Sequence, residues 1–140
     1  IYSYVMIDVF WPVLNSTVSL YSNTVSNLYE ALRNTAKTFP DQTAILDNYD
    51  RSCTYTELLE KTYSFSAYLY QELHVERNSH VALMMYNCLE FCVAFLALLK
   101  LGAVTVPLPS KYKKQEVASL IEKADVSCII CDQDFYDWFE

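Results

Sequence analysis

The chain has 140 residues, the usual size of one domain, and 53% of them are hydrophobic, enough for a packed core. Its formal charge is −7, and the one basic cluster, Lys111, Lys113 and Lys114, lies among polar residues at the start of an expected helix. No nucleic-acid partner is therefore expected, and the longest apolar stretch, Phe91 to Leu99, is too short for the roughly 20 residues of a membrane span.

Residues 1–26 show no clear period and are expected to form an extended preface to a unit over 27–140. The chain begins with Ile, and Met6 follows shortly, so residues 1–5 are either a foreign addition or the sign of a start further upstream. No Lys or Arg precedes Arg33, so the basic start of a secretory leader is missing. Five cysteines, an odd number, then point to free thiols in a reducing compartment, the cytoplasm.

Ser26 or Asn27 suits a helix cap. Leu28, Ala31, Leu32, Thr35, Ala36 and Phe39 follow at helical spacing, and Pro40 ends that helix. "TAIL" (43–46) reads as a strand, "DNYDRS" (47–52) as a turn-rich loop, and "CTY" (53–55) as the start of a return strand. Thr54-Tyr55-Thr56-Glu57 is a capping box: the Thr hydroxyl accepts from the third helical N–H, and the Glu reaches back to the Thr N–H. The helix behind it is expected to run to about Leu73, with Leu58, Thr62, Phe65, Leu69 and Leu73 as its inner stripe. Tyr63 and Tyr70 lie off that stripe, placed to face a neighbouring domain.

"HVALMMY" (80–86) is a continuous apolar run of strand length, as in a parallel strand buried on both faces. Asn87, with Glu90 three residues on, is expected to cap the helix that follows, 88–101. "AVTVPL" (103–108) is a second strand, 113–124 a second amphipathic helix and "VSCIIC" (126–131) a third, buried strand. The last residues enter another helix. Strand, helix, strand, helix, strand over about 80–131 predicts an α/β fold with a partial doubly wound parallel sheet, preceded by helices and short strands.

Gly102 is the only glycine. It stands just past the 88–101 helix, where a left-handed residue ends the helix and turns the chain back toward the sheet. Lys100 suits the negative end of the helix dipole. One glycine cannot make a phosphate cradle, which needs several in one loop.

The remaining chemistry-bearing residues read as structural. Cys128 and Cys131 have C-x-x-C spacing, but on a strand residues three apart point to opposite faces, so their sulfurs diverge. Cys88 and Cys92, one helical turn apart, read as small core residues. His74 and His80 flank a polar turn and do not by themselves make a metal site. Asn87 reads as a cap, with a direct ligand contact as the alternative because it stands at the carboxyl end of a strand, where α/β folds place ligands.

Four segments in register resemble a known family. "AKTFPDQTAIL" (36–46), "CTYTEL" (53–58), "NCLEF" (87–91) and "ALLKLGAVTVPL" (97–108) are similar in order and spacing to the amino-terminal part of adenylate-forming enzymes: acyl-CoA synthetases, luciferases and peptide-synthetase adenylation domains. Gly102-Ala103-Val104-Thr105-Val106-Pro107-Leu108 is nearer the acyl- or aryl-CoA synthetase pattern than Gly-x-Ala-Tyr-Val-Pro-Leu-Asp. Pro109-Ser110-Lys111-Tyr112 departs from the family's usual Asn-Pro or Asp-Pro turn.

The resemblance implies the amino-terminal subdomain of an enzyme that activates a carboxylic acid with Mg and ATP and passes it to coenzyme A. It also implies that the family's phosphate loop, its adenine and Mg segment, its ribose-binding Asp and its carboxyl-terminal Lys lie later in the chain. No catalytic, cofactor-binding or metal residue is therefore assigned here, and the 140 residues alone are expected to be inactive. A carrier-protein-linked adenylation domain and a non-catalytic interaction module are the alternatives. As a part of a larger enzyme, the chain is expected to have the remainder of that enzyme as its partner and to self-associate when isolated.

Overall fold

A computed structural model of the chain describes residues 6–7 and 27–139. Strand β1 is Met6–Ile7, helix α1 Leu28–Thr38, β2 Thr43–Leu46 and β3 Ser52–Thr54. Next come α2 (Tyr55–Gln71), β4 (His80–Met84), α3 (Leu89–Leu101) and β5 (Val104–Pro107). The chain closes with α4 (Lys114–Lys123), β6 (Cys128–Cys131) and the short α5 (Gln133–Tyr136).

Two sheets form. β1, β2 and β3 pair antiparallel in that order, with Met6 opposite Leu46 and Ile45 opposite Cys53. β5, β4 and β6 form a parallel sheet in that order, with Ala82 opposite Val106 on one side and Ile129 on the other. Central β4 is buried along Val81–Met84, and its alternating side chains serve two layers. Val81 and Leu83 pack with Leu69 of α2 and Ala94, Ala97 and Leu98 of α3. Ala82 and Met84 pack with Val117 of α4 and Phe135 of α5. Helices thus cover both faces, as in a doubly wound sheet. A third cluster joins α1, α2 and α3 to β2 and β3 through Leu32, Ile45, Leu58 and Leu96.

The helix ends follow from local chemistry. Asn27 caps α1, its Oδ1 accepting from the Glu30 N–H at 3.0 Å. Thr54 and Glu57 close the expected capping box: the Glu57 N–H donates to Thr54 Oγ1 at 3.2 Å, and the Thr54 N–H donates to Glu57 Oε2 at 2.8 Å. These bonds to its ionised form hold the Glu57 carboxyl below its ordinary range. Glu116 supplies only half of such a box on α4, accepting from the Lys113 N–H at 2.8 Å, because a lysine side chain has no acceptor to complete it.

Gly102 ends α3 with φ 72°, in the left-handed region. The Gly102 N–H donates to the Leu99 carbonyl at 3.1 Å and the Ala103 N–H to the Leu98 carbonyl at 3.0 Å, the paired bonds of a Schellman stop. A Cβ at this position would lie 3.3 Å from Arg77 Cγ. Gly102→Ala is expected to cost about 1–2 kcal/mol from the left-handed backbone alone, measured by urea unfolding. Elsewhere the chain fills left-handed positions with Asp50, His74, Asn78 and Asp125, at φ between 50° and 68°. Asn, Asp and His tolerate that region best among residues with a Cβ, which is how this chain manages its turns with one glycine.

Three expectations are corrected. α2 ends at Gln71, and its fully buried positions are Tyr55, Leu58, Thr62, Ser66 and Leu69. Phe65 is only half-buried, and Leu73 is 44% exposed because His74 turns the chain away just beyond the helix. Asn87 does not cap α3. Cys88 occupies the cap position and makes no side-chain capping bond, and the Glu90 carboxylate is drawn away to Arg51. β6 is half-buried rather than buried, because among the described residues it pairs with β4 alone.

Candidate functional site

β4 leads into α3 on one face of the parallel sheet, while β6 leads into α5 on the other. Their carboxyl ends part there, which is where open α/β sheets form a ligand crevice. Met85, Tyr86, Asn87 and Cys88 enter it from β4, and Asp132 enters from β6. The Asp132 carboxylate accepts the Tyr86 N–H at 2.6 Å and so ties the two strand ends together. The Tyr86 hydroxyl donates to Asp134 at 3.3 Å, and its ring tilts against Phe135 with centroids 5.4 Å apart. Partial burial and the neighbouring Asp134 charge push the Tyr86 phenol above its ordinary value.

On the α2 and α3 side of this crevice lies a cavity of about 240 Å³. Phe65, Met85, Leu89, Val93 and Ile130 give it an apolar wall, with Lys61 and Glu90 also bordering it. Next to it stands an ion cluster. The Arg51 guanidinium donates to both Glu90 oxygens at 2.7 and 2.8 Å. Its Nε donates to Asp47 at 2.8 Å. Asp47 is buried and also accepts the backbone N–H groups of Tyr49 and Arg51. Arg51 thus clamps the β2–β3 turn to the first turn of α3. It holds the Glu90 carboxyl down at about 2 and the Asp47 carboxyl below its ordinary range.

The thiols are arranged for packing. Cys53, Cys88 and Cys92 are buried. Burial pushes the Cys92 thiol up to about 11 and raises the other four as well, so none is tuned toward a reactive thiolate. Cys128 and Cys131 fall on opposite faces of β6, as their spacing requires: Cys128 packs with Val81 and Leu83, Cys131 with Ala82 and Met84. His80 is tied to the Ala124 carbonyl through Nδ1, and His74 takes a left-handed turn position. Among the described residues no group of three His, Cys, Asp or Glu side chains converges to hold a metal ion.

Tyr63 is 61% exposed and Tyr70 55%, as expected off the buried stripe. Tyr63 also has an engagement that its spacing does not reveal: Lys100 Nζ lies 4.8 Å from its ring centre and 6.0 Å from that of Tyr29.

A doubly wound α/β layer with a crevice at the carboxyl ends of its strands defines a class of ligand-binding and catalytic proteins. Comparison with known proteins narrows it. A family model described as AMP-binding enzyme matches residues 32–137. Bacillus cereus 2-succinylbenzoate--CoA ligase is 36% identical over 96 residues, covering 69% of this chain and 20% of the relative. A Yersinia pestis long-chain-fatty-acid--CoA ligase is 30% identical over 110 residues, covering 79% of this chain and 19% of the relative.

Among solved structures, the N-terminal subdomain of Klebsiella oxytoca NpsA superposes with a TM-score of 0.72 at 27% identity, covering 78% of this chain. VinN, in complex with L-aspartate, superposes with a TM-score of 0.74 at 28% identity, covering 79% of this chain. The chain belongs to the family of AMP-binding, adenylate-forming enzymes. It spans about a fifth of the length of the two ligases, and 28% of the NpsA N-terminal subdomain chain, so it corresponds to part of such a subdomain.

The residues described do not fit the groups that the family implies. Gly102 is spent on stopping α3, and the turns after β4 and β5, Met85–Cys88 and Leu108–Lys113, carry no glycine to bring backbone N–H groups around a phosphate. No step of an ATP-dependent reaction is derived from this chain.

Proposed function

We propose that the 140 residues are the amino-terminal portion of an ATP-dependent acid–thiol ligase of the acyl-CoA synthetase type, working in a reducing compartment such as the cytoplasm. The observation that carries this reading is the parallel β4–α3–β5 unit. In it the sharp stop at Gly102 leads into a Val-Pro strand, within a region that matches the AMP-binding family over 32–137. The similarity to two CoA ligases supports coenzyme A as the acceptor. Five unpaired cysteines support the compartment. No helix among the described residues is long and apolar enough to cross a membrane.

In this reading residues 1–26 are the preface and 27–140 an incomplete unit whose catalytic groups stand elsewhere in the parent enzyme. Reading the gene beyond the Glu140 codon tests it. The frame is expected to continue into a Ser/Thr/Gly-rich loop with a lysine, and its full product to form a thioester with coenzyme A. A frame that stops there would favour a non-catalytic module. A carrier domain in place of CoA activity would favour the carrier-linked branch.

The isolated chain is expected to self-associate. Half-buried β6, with Ile130 beside the apolar cavity, pairs with β4 alone among the described residues and has neither the charge nor the proline that blunts a free edge, whereas β5 ends in Pro107. Sedimentation velocity over a concentration series is expected to show the weight-average mass rising. A constant monomer mass would refute this.

A further inference from the structure

We draw no further inference here: the strongest candidate, the apolar cavity between α2, the start of α3 and the outer side of β6, lined by Phe65, Met85, Leu89, Val93 and Ile130, carries none because nothing in the structure shows what covers it.

Discussion

Replacing Arg51 with methionine is expected to lower the melting temperature by about 5–10 °C, because it leaves the buried Asp47 carboxylate without its counter-ion. Methionine keeps much of the arginine stem, so the loss reports the guanidinium rather than packing. Two backbone N–H groups still serve Asp47 after the change, which holds the effect below outright unfolding. Glu90, by contrast, is 54% exposed and water can solvate it once Arg51 is gone.

The same pairing sets an acid dependence. The Glu90 carboxyl falls from an ordinary 4.5 to about 2 in the fold, and that of Asp47 falls below 3.8. A depressed carboxyl gives its full stabilisation above its unfolded value and loses it as pH falls through the folded one. The melting temperature of the wild type should therefore drop between about pH 5 and pH 2, and Arg51→Met should drop less over that window. Parallel slopes for the two proteins would show that Arg51 does not set these carboxyls.

A second large effect separates two leucines that the sequence places on one stripe. Leu58 is 0% exposed, in the cluster that joins α1, α2 and α3 to β2 and β3. Leu58→Ala should cost about 3 kcal/mol, the transfer of the lost methyl and methylene groups plus a cavity in a place where three helices prevent collapse. Leu73 is 44% exposed beyond the end of α2, and Leu73→Ala should cost less than about 0.5 kcal/mol. Urea denaturation of both variants decides the matter, and equal costs would mean that α2 continues through Leu73 against the core.

That pair also shows what periodicity carries. Spacings of three and four find the inner face of α2, but the end of the stripe depends on His74 entering the left-handed region, which no apolar pattern encodes. Thr54 and Glu57 were legible because a capping box is a local exchange between residues three apart. Gly102 was legible for the same reason. The parallel layer followed from a continuous apolar run at 80–86 between helical patterns, of which His80–Met84 forms the strand, and the divergence of Cys128 from Cys131 followed from strand geometry.

Long-range partners were not legible. Asn87 and Glu90 have the spacing of a cap, yet Arg51, 39 residues away in sequence, outcompetes the local bond by offering Glu90 two charge-assisted hydrogen bonds. The Asp47–Arg51 pair lies within what the sequence shows only as a turn-rich loop. The bond from Tyr86 to Asp132 spans 46 residues and exists only because β6 pairs with β4. That β6 pairs with β4 alone among the described residues likewise depends on strand order, which composition does not specify.

As proposed above, this chain is a folded part of an acid-activating ligase whose ATP-handling groups stand elsewhere in the parent enzyme. ATP–pyrophosphate exchange tests it most directly, run on the isolated 140 residues and on the product of the full reading frame with the same set of carboxylic acids. The account predicts acid-dependent exchange by the full product and none by the isolated chain. Exchange by the 140 residues alone, or none by the full product with any acid, would contradict it.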